Sequence, residues 1–204
     1  MLRLSQGSAS LLALVTGSGL GLYAYSQHLF RLYPSPPIGL HDSIVARVPP
    51  TTLPEYTSAF YKTWTLRLEG LGARLAGYPV PPDSFADGIF VVQRRTAQAV
   101  EVEWEMPKPV LSVFEALGVV MVQGGGQILS VQDKDGETEI RYTCEEYLGP
   151  RPERWADVEY RRTSGIGMEG KPPGAFGIHL HRFYMRFLFE QARKRLVGEK
   201  GADR

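Results

Sequence analysis

A long amphipathic stretch near the carboxyl end, His179–Val197, limits the folds open to this chain more than any other segment. Its apolar residues recur at spacings of three and four, which places them along one broad stripe of a helix. The stripe consists of Leu180, Phe183, Tyr184, Phe187, Leu188, Ala192 and Leu196. A helix with this much aromatic and aliphatic surface needs a large apolar partner, and the strands predicted upstream are the expected one.

The clearest strand pattern lies in the middle of the chain. Val100, Val102, Trp104 and Met106 alternate with three glutamates. This period of two predicts a strand with one buried face and one solvent-exposed face, which is typical of an antiparallel sheet. Gly88–Val92 is predicted to begin the same sheet.

A second pair of strands flanks the turn Asp133-Lys134-Asp135-Gly136. Asp-Gly between alternating apolar residues is a strong hairpin signal. Gln127–Val131 and Thr138–Tyr147 are therefore predicted to pair, with Cys144 as a small core residue on the buried side. The preceding run Gly124–Gly126 is predicted to be a flexible break.

Two elements are predicted before the sheet. Asp42–Val48 alternates as a short strand, and Thr52 with Glu55 forms the pattern of a capping box at the start of a helix. The helix is either one long element or two joined at Gly70–Gly72. Its predicted apolar stripe consists of Leu53, Tyr56, Phe60, Trp64, Leu68, Leu71 and Leu75.

Three further segments are less regular. The apolar run Val110–Val122 fits a short helix or a buried strand, and periodicity does not decide between them. Arg151–Thr163 is predicted to supply another, more polar strand. Gly165–Gly177 is rich in glycine and proline and predicts a long loop.

The amino-terminal segment carries no formal charge between Arg3 and Arg31. A helix needs about 20 mostly apolar residues to cross a bilayer, and Ser10–Tyr25 with its neutral flanks just meets that length. We expect residues 10–30 to contact a membrane as a single amino-terminal span. A cleaved signal peptide and a mitochondrial presequence, including one retained as an inner-membrane anchor, are the alternatives. Tyr33–Pro37 then forms a stiff spacer.

Charge and residue types narrow the chemistry. A net charge of +1 gives no field that would attract nucleic acid. Cys144 is the only cysteine, so no intramolecular disulfide forms. His179 and His181 diverge on a helix, and no cluster of other ligands joins them. The sequence therefore indicates no metal, no cofactor and no catalytic set.

The order of elements is strand, long helix, several antiparallel strands and a long terminal helix. Over roughly Asp42–Val197 this α+β order is similar to the START-like helix-grip fold, in which a curved sheet wraps the last helix around an apolar cavity. The resemblance implies a pocket between a sheet face and a helix face. The implied ligand-binding residues are Val100, Val102, Trp104 and Tyr142 on the sheet, with Phe183 and Phe187 on the helix. The alternative is that these side chains pack against one another.

These patterns divide the chain into an anchor or targeting segment with its spacer (1–38), one α+β domain (39–197) and a polar tail (198–204). The functional hypothesis is a membrane-tethered domain that binds or presents a hydrophobic small molecule or lipid without catalysis. The alternative is a membrane-held interaction or assembly factor that has no ligand pocket. Such a factor would use the acidic surface of the sheet or the basic carboxyl end to bind a protein partner.

Overall fold

The structure, a computed structural model, describes residues 21–34, 41–75, 77, 80–105, 112–113, 116–118, 124–146 and 175–201. The chain divides after Pro34 into two units, which are described separately. The predicted strand Arg151–Thr163, most of Val110–Val122 and most of the Gly165–Gly177 loop lie outside the described residues. So do residues 35–37 of the predicted spacer and residues 10–20 of the predicted anchor.

In the first unit the described residues form a helix, α1, over 21–32. Within it the Ser26 hydroxyl donates to the carbonyl of Tyr23 at 2.8 Å, and the rings of Tyr25 and His28 stack at 6.4 Å between centroids. Among the helices that the structure describes, none is both long and apolar enough to cross a membrane.

The second unit is an α+β domain built on a six-stranded antiparallel sheet, which confirms the predicted class. Its strands are β1 (His41–Val48), β2 (Ser84–Phe85), β3 (Phe90–Arg95), β4 (Ala99–Glu105), β5 (Gly124–Lys134) and β6 (Glu137–Glu146). They lie in the order β1-β6-β5-β4-β3-β2. Three helices accompany the sheet: α2 (Leu53–Tyr61), α3 (Trp64–Leu75) and α4 (Ala175–Gly201). Both α2 and α4 pack on the sheet and on each other.

Two local predictions are confirmed by the backbone. At the start of α2 the Thr52 amide donates to Glu55 Oε2 at 2.6 Å, and the Glu55 amide donates back to Thr52 Oγ1 at 3.4 Å, which completes the capping box. The β5–β6 hairpin turns at Asp135 and Gly136, whose φ angles are 54° and 83°. Positive φ at both central residues is what a type I′ turn requires, and glycine adopts it without strain.

The prediction of a flexible break at Gly124–Gly126 is wrong, because these residues begin strand β5. They pair with β4 on one side, and Gly125 lies opposite Trp104 in the register. Gly125 and Gly126 also pair with β6 on the other side. Hydrogen bonding from both neighbours offsets the low strand propensity of glycine, and Gly125 presents no side chain beside the Trp104 indole.

The prediction that the glutamate face of β4 is solvent-exposed is wrong at Glu103, which is buried.

The helical segment after β1 breaks at Lys62 and Thr63, not at Gly70–Gly72. Lys62 leaves the helical conformation and its amide bonds back to Ser58 at 3.0 Å, which ends α2. The bend changes the face that points inward. The early residues of the predicted stripe, such as Tyr56 and Phe60, are buried, whereas every member of it on α3 is exposed. The residues of α3 that face the core are Leu66, Gly70 and Ala73.

Gly70 fixes which side of α3 is buried. A Cβ at this position would lie 3.0 Å from backbone atoms of Ala86 and from the Asp87 carboxylate. Gly72, two residues further along and on the exposed side of the helix, has nothing within 4 Å of such a Cβ. The close approach of α3 to the 86–87 turn therefore depends on a missing side chain at one glycine and not at the other.

We expect Gly70→Ala to lower the free energy of unfolding by about 1–3 kcal/mol, because the added methyl group forces α3 away from the turn. Gly72→Ala is the matched control and should raise stability by up to about 1 kcal/mol through helix propensity. Urea unfolding of both variants measures the difference. Equal effects of the two substitutions would show that α3 does not pack on the turn through Gly70.

Helix α4 is longer than predicted. Its buried face is displaced around the helix axis from the predicted apolar stripe by roughly one residue position. Leu188, Ala192 and Leu196 are buried as predicted, but Phe183 and Phe187 are only half-buried. The buried face contains, in addition, His181, Met185, Arg186, Phe189 and Glu190. The rotation follows from polar side chains on the facing sheet, which bind His181 and Arg186.

Candidate ligand-binding site

The inner face of the sheet, defined here as the face toward α2 and α4, carries an unusual row of side chains. In register across four strands lie Asp42 on β1, Cys144 on β6, Gln127 on β5 and Val102 on β4. Residues directly opposite one another in antiparallel strands point to the same face. Because Asp42, Cys144 and Gln127 are all buried, the row places three polar groups inside the domain.

Asp42 and Arg186 form a buried ion pair at one end of this row. Arg186 Nη1 donates to Asp42 Oδ2 at 2.5 Å and Nη2 donates to Oδ1 at 3.1 Å. The side chains are 0% and 6% exposed, and Nη1 also donates to the carbonyl of Arg182 at 3.0 Å. Two parallel bonds between guanidinium and carboxylate are the strongest geometry for such a pair. The pair ties α4 to β1 and neutralises both charges within the core.

His181 is the other polar residue of α4 that contacts this row, and its Nε2 lies 3.6 Å from Cys144 Sγ. The imidazole also stacks on the Trp104 indole, with ring centroids 5.3 Å apart. Burial lowers the pKa of His181 to about 4; the nearby Asp42 opposes this change and Arg182 adds to it. His181 is therefore neutral at pH 7. An imidazolium that would stabilise a thiolate is disfavoured here, so the geometry does not indicate a cysteine nucleophile.

Aromatic rings enclose the same region from the side of α2. Phe60 stacks on Tyr142 at 5.3 Å, and Tyr61 stacks on Phe85 at 4.2 Å. Burial raises the pKa of both Tyr61 and Tyr142 well above the ordinary value, and the nearby Cys144 raises each further. Both hydroxyls therefore remain protonated, and each can donate as well as accept a hydrogen bond.

Three buried polar atoms in this region have no hydrogen-bond partner among the described residues. They are the Tyr61 hydroxyl, Gln127 Oε1 and Trp104 Nε1. The Tyr142 hydroxyl, by contrast, is hydrogen-bonded to the Cys144 side chain. An unsatisfied buried polar group costs about 1–3 kcal/mol, and native proteins contain few of them. Three such atoms in one region mark it as the candidate place for polar partners from outside the chain.

The structure places the ligand-binding residues predicted from sequence in two different environments. Val100, Val102, Trp104 and Tyr142 are all buried on the inner face of the sheet. Phe183 and Phe187 stack on each other at 6.2 Å, and Phe187 meets Trp64 of α3 edge-on at 6.4 Å. The contacts that carry α4 onto the inner face are instead made by His181 and Arg186.

Sequence reasoning missed the polar members of the site, which are Asp42, Gln127, Cys144 as a contact of His181, and Arg186. A signal for them was present, because Asp42, Gln127 and Cys144 occupy core-facing positions of their strands. Polar residues at such positions need partners, and His181 and Arg186 lie five positions apart on the predicted carboxyl-terminal helix, which could supply them. Within the described residues no group of three or more histidine, cysteine, aspartate or glutamate side chains could hold a metal ion.

No protein-family model and no curated protein matches this chain. The function is therefore inferred from the chemistry of the residues and their positions.

Proposed function

We propose that the α+β domain binds a mostly apolar small molecule or lipid between the inner face of the sheet and α4. It carries out no chemistry on that molecule, and residues 10–30 hold the chain at a membrane. The observation that carries the proposal is the set of three buried polar atoms without partners, the Tyr61 hydroxyl, Gln127 Oε1 and Trp104 Nε1, which lie among the apolar and aromatic side chains of this region. Apolar surfaces with a few convergent polar groups are typical of small-molecule sites.

The charges of the site favour an uncharged polar group on the ligand. Asp42 and Arg186 already neutralise each other through two hydrogen bonds, and His181 is neutral at pH 7. An ionised ligand group would therefore be buried beside no compensating charge, which is unfavourable. Gln127 Oε1 requires a donor and Trp104 Nε1 requires an acceptor. A hydroxyl or phenol group supplies both.

The topology also supports this proposal. The element order is similar to that of the START-like helix-grip fold, in which the sheet and the last helix enclose an apolar cavity. The sheet order brings the first strand, β1, beside the last, β6, and α4 crosses their inner face through Arg186 and His181. Val100, Val102, Trp104 and Tyr142 are proposed to line the apolar part of the site.

Bound water is the competing explanation for the unsatisfied atoms, since a water molecule with two to four polar partners is stable in a core. Native mass spectrometry of the full chain, purified from its own source in a mild detergent, separates the two. A ligand appears as an added mass that persists under mild conditions and disappears on denaturation. A bare chain, even after incubation with a lipid extract, would contradict the proposal.

A matched pair of glutamines sharpens this test. Gln127→Met removes the buried acceptor, whereas Gln132→Met changes an exposed glutamine of the same strand. We expect Gln127→Met to reduce ligand retention by roughly 3- to 10-fold, the value of one lost hydrogen bond. Without ligand the same variant should be more stable than wild type by about 1 kcal/mol, because an unsatisfied polar group is removed. Gln132→Met should leave both quantities unchanged.

A further inference from the structure

The exposed face of α3 carries large apolar side chains in a regular stripe. Trp64, Leu68, Leu71 and Leu75 recur at spacings of four, three and four, so they fall within a narrow arc of the helix. Their exposed fractions are 60%, 59%, 49% and 80%. The opposite side of the helix packs on the core through Leu66, Gly70 and Ala73, and Gly70 lies so close to the 86–87 turn that a Cβ there would be 3.0 Å from Ala86.

Cations border this stripe. Arg67 and Arg74 are seven residues apart, lie along one flank of it, and are exposed. Neither forms an ion pair with another residue in the part of the chain that the structure describes. Glu69 is the single acid of α3 and lies on the other flank, where its carboxylate accepts a hydrogen bond from the Tyr184 hydroxyl. The face is therefore apolar with a positive edge.

A cationic groove continues the positive edge beyond the amino-terminal end of α3. It has a volume of about 430 Å³ and lies between the α2–α3 bend and the last turns of α4. It is lined by Lys62, Thr63, Trp64, Arg67, Gln191, Lys194 and Arg195. Arg195 is oriented by a hydrogen bond of 3.4 Å from its Nη1 to the carbonyl of Lys62. Of its four cations, Lys194 is also paired with Glu190, at 3.5 Å between Nζ and Oε1. The lining itself contains no acid, so the groove suits an anionic headgroup, and Trp64 connects it to the apolar stripe.

We propose that this face of α3 docks the domain on the surface of a bilayer that contains anionic phospholipids. The leucines and Trp64 enter the boundary between headgroups and acyl chains, while Arg67, Arg74 and the cationic groove contact phosphates. Tryptophan is favoured at that boundary, and apolar burial together with attraction to anionic lipid is the usual basis for binding of a helix in the plane of a membrane. The charge of the border selects a lipid surface over a second copy of the chain, because two such faces would repel each other.

Quenching of Trp64 fluorescence tests the docking separately from any amino-terminal anchor. The full chain is reconstituted in vesicles of brominated phosphatidylcholine with or without phosphatidylserine, and the signal of Trp64 is identified by difference from Trp64→Phe. We expect Trp64 to be quenched when phosphatidylserine is present and to lose that quenching in high salt, which screens exposed charges. Tethering alone would leave Trp64 equally unquenched in both kinds of vesicle and would overturn the proposal.

Charge reversal supplies the matched controls. Arg67→Glu with Arg74→Glu should reduce the quenching to the level seen without phosphatidylserine. Arg47→Glu with Arg94→Glu, which changes exposed arginines of the sheet, should retain it. Equal loss in both pairs would overturn the proposal, because it would reflect net charge and not this face. A change of oligomeric state caused by Leu68→Gln in the absence of vesicles would overturn it in favour of self-association. None of these outcomes depends on a ligand inside the domain.

Discussion

Replacing Arg186 with methionine is expected to lower the free energy of unfolding by about 3–5 kcal/mol, the cost of leaving one charge of a buried pair without its partner. The Asp42 carboxylate would lose both guanidinium hydrogen bonds while remaining almost fully buried. The effect should be visible as a reduced urea midpoint with an unchanged slope. Arg94→Met is the control, because Arg94 is 68% exposed in its pair with Glu101 and such pairs contribute about 1 kcal/mol or less.

A double variant separates the pair from the packing around it. Asp42→Leu with Arg186→Met replaces both charges by apolar groups, which is often neutral or stabilising for a buried pair. We expect it to recover most of the stability that Arg186→Met loses. If Arg186→Met cost no more than Arg94→Met, the pair would not be buried as described, and the attachment of α4 to β1 would need another explanation.

The second large effect concerns pH. Burial lowers the pKa of His181 from its ordinary value of 6.5 to about 4 in the folded protein. Between these two values the unfolded chain binds a proton that the folded chain excludes. Above pH 6.5 His181 is neutral in both states and its burial does not reduce the free energy of unfolding. As the pH falls from 6.5 toward 4, the unfolded chain gains a proton at His181 and the free energy of unfolding decreases. At about 1.4 kcal/mol for each unit of pKa, the loss amounts to roughly 3 kcal/mol.

His181→Phe keeps an aromatic ring against Trp104 but cannot be protonated. Urea unfolding of wild type and of this variant at intervals from pH 7 to 4 gives two curves, and their difference isolates His181 from the carboxylates that titrate in both. We expect the variant to lose about 3 kcal/mol less than wild type over this range. His179→Phe, at an exposed position of the same helix, should follow wild type. Parallel curves for wild type and His181→Phe would show that His181 is accessible to solvent.

The elements were predictable because their signals are local. Alternation identified β1, β4 and β6, the Thr52–Glu55 capping box located the start of α2, and Asp135-Gly136 located the hairpin. Each of these signals lies within a few residues, and tertiary packing did not override them. Gly124–Gly126 is the exception, since pairing with a strand on each side imposed extended structure on a run that has little intrinsic preference for it.

The orientation of the helices was not predictable in the same way. An apolar stripe shows that a face avoids water but not what covers it, and the stripe of α3 lies outside the core because Gly70 permits closer packing on the other side. The rotation of α4 depends on Asp42, which is 144 residues from Arg186 in the chain. A charged residue that is buried by a distant partner resembles a surface residue in the sequence.

The candidate site was therefore half predictable. Val100, Val102, Trp104 and Tyr142 follow from alternation alone, since each is a large or branched residue on the inner side of its strand. Gln127, Cys144 and His181 do not, because their significance lies in which other strand or helix they face. Phe183 and Phe187 were assigned to the same site through their hydrophobicity, whereas their rings stack on each other and Phe187 contacts Trp64 of α3.

The most direct test of a ligand inside the domain is the indole N–H resonance of Trp104. The chain has three tryptophans, so a spectrum of ¹⁵N-tryptophan-labelled protein contains few signals, and Trp104→Phe identifies the one required. The Trp104 N–H is buried without a hydrogen-bond partner among the described residues. After incubation with neutral lipids and long-chain alcohols, we expect this resonance to move to a new position and to exchange more slowly with solvent, because the ligand accepts its hydrogen. An unchanged Trp104 resonance would contradict binding between the sheet and α4.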